Sequence, residues 1–149
     1  MDKDDPLLLE NQLCFPLYAC SREIVKVYRP WLDELGITYT QYITLMVLWE
    51  EQQISVKDLG ARLRLDSGTL TPLLKKLEAK GYLHRQRSVS DERVVLACIT
   101  EAGNALKARA QDIPLALKRY LQSFPQEKSR ELYRLLYELI GVLDASAKK

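Results

Sequence analysis

Leu65-Asp66-Ser67-Gly68-Thr69-Leu70-Thr71-Pro72-Leu73-Leu74-Lys75-Lys76-Leu77-Glu78-Ala79-Lys80-Gly81 is the stretch on which the reading of this chain turns. Leu70, Leu73, Leu74 and Leu77 fall at helical spacing and make one apolar stripe. The opposite side offers Ser67, Gly68, Thr69 and Thr71, then Lys75 and Lys76. Short hydrogen-bonding groups at a helix start, followed by cations, suit a DNA major groove and its flanking phosphates. Asp66 or Ser67 is a good N-cap and Gly81 a good stop. Pro72 removes one internal hydrogen bond, so a small bend is expected there. The same pattern also fits an amphipathic core helix with a solvated face, so the neighbours must decide.

On the N-terminal side, Ser55-Val56-Lys57-Asp58 has the form of a capping box and opens a short helix to about Leu63, with a turn at Arg64-Leu65. Two short helices across a tight turn make a helix-turn-helix. On the C-terminal side the period changes to that of strands: 82–87 and 93–99 flank the polar loop Ser88-Val89-Ser90-Asp91-Glu92. A basic hairpin beside a groove-facing helix is a wing. Arg87 and Arg93 at its tip suit a narrow minor groove. The expected fold is mainly α with a small β-hairpin: a winged helix-turn-helix.

Further out the chain is helical. Residues 6–35 carry two apolar stripes, one of them through Leu13, Leu17, Cys20 and Ile24, interrupted by Pro16 and Pro30. Pro16 is expected to break the helix or to start a new one near Cys14, and Cys20 to be buried. Thr38 or Thr40 caps the next helix, with Tyr42, Leu45, Met46 and Trp49 on one face. After the hairpin, Thr100 caps a helix over about 101–124, kinked at Pro114, and a last helix runs from about Gln126 to Ala145. The first and last helices offer more apolar surface than one core needs. The expected division is therefore 37–100 for DNA binding, with 1–36 plus 101–149 joining two copies in a homodimer. Two-fold symmetry would set two reading helices on successive major grooves, about 34 Å apart.

Composition agrees. The net charge of +2 conceals −5 over residues 1–54, +4 over 55–93 and +3 over 94–149, so the positive charge begins where the helix-turn-helix begins. Residues 1–5 are acidic and expected to fray. No signal peptide or membrane-length apolar run is present, which points to a cytoplasmic protein with no membrane partner. Three cysteines and one histidine, without metal-ligand spacing, point to free thiols, no metal and no cofactor. Cys98 alternates with Val94 and Leu96 in a strand and is expected in the core.

The helix order, the Leu65-to-Lys76 stretch and Asp91-Glu92-Arg93 resemble the MarR family of dimeric winged-helix transcription factors. Gln12-Leu13-Cys14-Phe15, Tyr28, Thr38-Tyr39 and Leu65-to-Pro72 resemble its organic-hydroperoxide-sensing branch, OhrR, over essentially the whole chain. The resemblance implies a repressor of a pseudo-palindromic operator in double-stranded DNA. Cys14 would be its redox sensor, Tyr28 and Tyr39 the tyrosines that hydrogen-bond it, and an organic hydroperoxide with a small thiol its signals. Ser67, Gly68, Thr69, Thr71, Lys75, Lys76, Arg85, Arg87 and Arg93 would face the DNA, with Asp91 holding Arg93. Two-cysteine members carry a second cysteine in the helix after the wing; residues 101–124 have none, so the likeness is to the one-cysteine type.

Cys14 and Tyr28, 14 residues apart in one helical stretch, lie about 21 Å apart along it, so they meet only across a dimer or a sharp break. Three rivals remain: a MarR-type repressor released by a small aromatic ligand, a thiol-switch regulator of a wider regulon, and a thiol peroxidase. The last is disfavoured because no arginine or threonine adjoins Cys14 to activate a peroxide. The chain is read as a regulator and not an enzyme.

Overall fold

The computed structural model describes residues 5–147; the acidic residues 1–4 lie outside them. Packing divides the chain into two compact units, one ending at Ile113 and one starting at Pro114.

In the first unit a 3-10 turn at Leu9–Asn11 precedes α1 (Cys14–Leu35), α2 (Tyr39–Glu51), β1 (Gln53–Ser55), α3 (Val56–Leu63) and α4 (Ser67–Ala79). β2 (Leu83–Arg87), β3 (Val95–Ile99) and α5 (Glu101–Ala110) follow. The strands form an antiparallel sheet in the order β1-β3-β2, with Ile54 opposite Ala97 and Arg85 opposite Ala97 on the other side. β1 is the strand that the sequence pattern does not reveal. Three residues are too few to show a period of two.

The core is built around α2, whose Tyr42, Leu45, Val47, Leu48 and Trp49 are all buried; Met46, expected on that face, is exposed. Leu59 of α3, Leu70, Leu73, Leu74 and Leu77 of α4 and Leu83 of β2 complete it. The apolar stripe of α4 is therefore its core face, and the polar side is left to solvent. Pro72 lies inside α4, which nonetheless runs unbroken.

Each expected cap forms. Thr38 accepts from the Gln41 N–H while the Gln41 side chain accepts from Thr38 N, a complete capping box. Ser55 Oγ accepts from Asp58 N, and donates to the Asp58 carboxylate at 2.6 Å. Thr100 Oγ1 accepts from Gly103 N and donates to the Gly81 carbonyl. α1 ends on Gly36 at φ 67°, a left-handed turn suited to glycine. The carbonyls at that end are held from elsewhere: Arg109 Nη2 donates to Glu34 O at 2.8 Å, and Lys80 Nζ donates to Gly36 O. Cations at a helix C-terminus also complement its dipole.

Three expectations need correction. α1 starts at Cys14, not near Pro6, and Pro16 sits in its first turn, where a missing N–H breaks no helical bond. Pro16 therefore marks a helix start instead of a break. Cys20 is exposed, because this half of α1 has little of the first unit packed against it. The helix expected over 101–124 is two: α5 ends at Ala110 and α6 (Ile113–Tyr120) begins anew, with Pro114 again in a first turn.

The second unit holds the rest of α6 and α7 (Gln126–Ala147). Between these helices lies an open groove of about 850 Å³, lined by Leu117, Leu121, Phe124 and Tyr133 together with Lys118 and Arg130. Leu132, Leu135, Val142 and Leu143 of α7 are exposed, as are Leu13, Phe15, Ile24 and Val25 in and beside α1. Among the described residues no helix is long and apolar enough to cross a membrane, and no cluster of three acidic, histidine or cysteine side chains is arranged to hold a metal.

Candidate functional site

The start of α4 is set by Asp66. Its carboxylate accepts from Thr69 N at 2.9 Å through Oδ1, and from the Thr69 hydroxyl at 3.0 Å through Oδ2. Those bonds, the backbone one foremost, hold the Asp66 carboxyl below the usual range. The acceptor is thus an ionised carboxylate, and Thr69 is fixed as donor towards it. Ser67, Gly68, Thr69 and Thr71 are exposed, with Lys75 and Lys76 exposed further along. The helix that the sequence reading placed at a groove has that face free and its leucine face buried.

The wing is shorter in strand and more braced than its sequence suggests. Arg93 and Val94, read as strand, belong to the connecting loop. Within it Ser88 N donates to Val94 O at 2.8 Å, and Arg87 Nη1 donates to Glu92 O at 2.6 Å. Asp91 accepts from Arg93 three times: from N at 3.0 Å, Nε at 3.1 Å and Nη2 at 3.1 Å. The Arg93 side chain is still 91% exposed, so the loop aims it without covering it. These bonds hold the Asp91 carboxyl below its ordinary range, the guanidinium contribution being the larger.

Arg85, expected to face the DNA, has its guanidinium engaged by Glu78 in the last turn of α4, at 2.8 Å from Nη2. The physical reason is proximity: the left-handed turn at Gly81, φ 76°, folds β2 back beside the end of α4. Glu78 is a site residue that the sequence reading missed. Its spacing of seven from Arg85 spans a turn, so no helical rule pairs the two. Arg62, which bonds Glu50 and Glu51 at 2.7 and 2.5 Å, is likewise committed, joining α3 to α2.

The three thiols have separate surroundings. Cys14 is the first residue of α1 and is exposed. Cys98 lies in β3 between Gln53 and His84 and is buried, which pushes its thiol up. Tyr28 and Tyr39 meet within one chain, their rings 5.0 Å apart and tilted, and Tyr42 and Trp31 stand about Tyr28 at 6.0 and 6.1 Å. Tyr42 is a member of this cluster that the sequence reading assigned only to the core. Burial, reinforced by Tyr39 and Tyr42, pushes the Tyr28 phenol up to about 12. Burial raises those of Tyr39 and Tyr42 as well. Cys14 is not brought to this cluster in its own chain. α1 is continuous between Cys14 and Tyr28, which keeps them about 21 Å apart.

Residues 26–110 match the family described as transcriptional regulator SarA/Rot. The organic hydroperoxide resistance transcriptional regulator of Bacillus subtilis is 49% identical over 142 residues, which cover 95% of this chain and 96% of that one. Reduced AbfR of Staphylococcus epidermidis bound to DNA superposes with a TM-score of 0.73 at 34% identity, over 91% of this chain and 93% of that one. A MarR variant of E. coli complexed with operator DNA shares the fold, with a TM-score of 0.78 at 23% identity over 85% and 92% of the two chains. The chain belongs to the MarR-type winged-helix transcriptional regulators, in the branch of the organic hydroperoxide resistance regulators.

Proposed function

We propose that two copies of this chain form a cytoplasmic, non-enzymatic repressor that holds a pseudo-palindromic operator while Cys14 is reduced and releases it when Cys14 is oxidised by an organic hydroperoxide. The observation that carries the DNA-binding part is α4: its leucine stripe is buried while Ser67, Gly68, Thr69, Thr71, Lys75 and Lys76 are left exposed beside an aimed Arg93. In this reading the hydroxyls and backbone of the first turn approach base edges, the lysines meet phosphates, and Arg93 enters the minor groove. Residues 37–100 carry that task. The exposed apolar faces of α1, α6 and α7 seat a second copy, through 1–36 and 101–149.

The switch follows from where the groups stand. Cys14 lies at one end of α1 and the Tyr28–Tyr39 pair near the other, so a two-fold arrangement can set one chain's thiol on its partner's phenols. The thiolate attacks the terminal peroxide oxygen. The O–O bond breaks, an alcohol leaves with a proton from the surroundings, and a sulfenic acid remains. A small thiol then condenses with the sulfenic acid, forming an S–S bond and releasing water. Loss of the phenol hydrogen bonds and the bulk of the added thiol act on the interface that spaces the two α4 helices. A hundredfold fall in affinity requires only about 2.7 kcal/mol of difference between the two states.

Fluorescence anisotropy on an operator duplex tests this, with wild type and Cys14→Ser, reduced and then treated with an organic hydroperoxide plus a small thiol. Release by wild type and retention by the variant is the expected result. Release by both moves the sensor to Cys20 or Cys98, and release by neither removes the redox switch.

A further inference from the structure

Arg85, expected to face the DNA, is bound to Glu78. The Glu78 carboxylate receives three hydrogen bonds from that one residue: Arg85 N to Oε1 at 2.9 Å, and Nε and Nη2 to Oε2 at 3.2 and 2.8 Å. A surface ion pair that joins only two side-chain tips contributes little. Here the carboxylate also grips the main chain of β2, and both side chains are about a third exposed or less. The grip matters because of where it lies. Between Ala79 and Leu83 the covalent link from α4 to β2 is Lys80-Gly81-Tyr82, and Gly81 occupies a left-handed conformation open to glycine at little cost. The joint itself is held by Gly81 N on Glu78 O at 2.9 Å, Tyr82 N on Leu77 O at 3.1 Å and Thr100 Oγ1 on Gly81 O at 2.6 Å; Glu78 adds a tie beyond it, onto the main chain of β2 at Arg85.

From β2 the constraint continues to the hairpin tip. Arg87 holds Glu92 O, Ser88 N holds Val94 O, and Asp91 holds Arg93. Hydrogen bonds joined by short stretches of main chain therefore run from the last turn of α4 to the guanidinium at the tip. We propose that Glu78 and Arg85 are positioning residues that lock the wing at a fixed angle to α4, so that Arg93 and the first turn of α4 engage one duplex together. This rests on the DNA-binding reading above. Arg85 serves that reading through Glu78 and not by touching DNA.

The test is a double-mutant cycle on the full-length protein, with Glu78→Gln, Arg93→Ala and the pair, read as anisotropy on an operator duplex at several salt concentrations. Glutamine keeps the size but has one acceptor oxygen and no charge, so it cannot take the Arg85 guanidinium and the Arg85 main-chain N–H together. Arg93→Ala is expected to weaken binding about tenfold in the wild-type background, in line with the loss of one good contact. It should weaken binding only about twofold or less on top of Glu78→Gln, because an unlocked wing no longer delivers Arg93. Circular dichroism and melting temperature close to wild type show that Glu78→Gln still folds. If it does not, Arg85→Lys, which keeps the charge and loses the paired nitrogens, replaces it in the same cycle.

Equal losses from Arg93→Ala in both backgrounds would overturn the lock. So would Arg85→Lys or Glu78→Gln binding as tightly as wild type. A salt slope that falls by about one for Arg85→Met, with effects additive to Arg93→Ala, would make Arg85 a direct phosphate contact and overturn the proposal too. Failure of the underlying reading looks different: the wild type itself would show no selective binding to a duplex.

Discussion

Gly103→Ala tests how the wing is joined to the helix that follows it. A Cβ at Gly103 would stand 2.1 Å from Tyr82 O and 2.8 Å from the Ile99 side chain. The first is about 1 Å inside contact distance against main-chain atoms, which cannot rotate away as a side-chain tip can. Overpacking of this kind costs about 1–3 kcal/mol. The displacement also reaches a buried hydrogen bond, because Trp49 Nε1 donates to Gly103 O at 2.9 Å. A buried N–H left without its acceptor costs about 1–3 kcal/mol more. The sum, about 2–6 kcal/mol, is a large part of the 5–15 kcal/mol that holds a typical domain folded. Urea unfolding at one fixed protein concentration, followed by tryptophan fluorescence and circular dichroism, measures it; the concentration is fixed because a dimer's stability depends on it. Gly141→Ala in α7 is the matched control. A Cβ there meets nothing within 4 Å, so the same chemical change is expected to stabilise by about 0.5–1 kcal/mol. A cost below about 1 kcal/mol for Gly103→Ala would mean that Tyr82 and Gly103 are not packed as described, and the reasoning fails.

Other outcomes follow from the same geometry. Thr69 donates to the Asp66 carboxylate and so keeps only acceptor capacity for DNA; in a randomised operator library, Thr69→Val should relax selection at one position for a base with an exocyclic amino group, adenine or cytosine, and relaxed selection for guanine or thymine would contradict the assigned polarity. Ultraviolet titration of the phenols should show one group ionising near 12, lost in Tyr28→Phe. Because that phenol holds its proton longer folded than unfolded, its contribution to stability is present below pH 10 and declines as pH rises towards 12, which urea midpoints across that range measure. Asp66→Ala should lower the melting temperature at pH 7 and bring its value closer to wild type in strong acid, since a carboxyl held below its usual range stabilises only while ionised.

How much of this is written in the sequence depends on whether an element is local. The caps at Thr38, Ser55, Asp66 and Thr100 and the leucine stripe of α4 are all set by residues within a turn or two, and each is where the pattern puts it. The prolines mislead because one residue has two readings. Inside a helix proline breaks it, and in a first turn it starts one; the local pattern does not separate the cases at Pro16 and Pro114. Contacts that form only when the chain folds back stay out of reach: β1 against β3, Glu78 against Arg85, Tyr42 beside Tyr28, and Arg62 on Glu50 and Glu51. Of the candidate site, the exposed face of α4 and the Asp91–Arg93 pair were legible, because one is periodicity and the other is two residues apart.

The pinned end of α1 turns that helix into a lever. Its C-terminal carbonyls are fastened by Arg109 from α5 and Lys80 at the end of α4, and Leu32 and Leu35 are buried beside them. Cys14 is at the far end, 22 residues away and so about 33 Å along the axis. At that length a push of about 3 Å on the cysteine end is a turn of about 5° at the fastened end. In the proposed switch a small thiol joined to Cys14 would push at that end, and Lys80, bonded to Gly36 O, ties the fastened end to the end of α4.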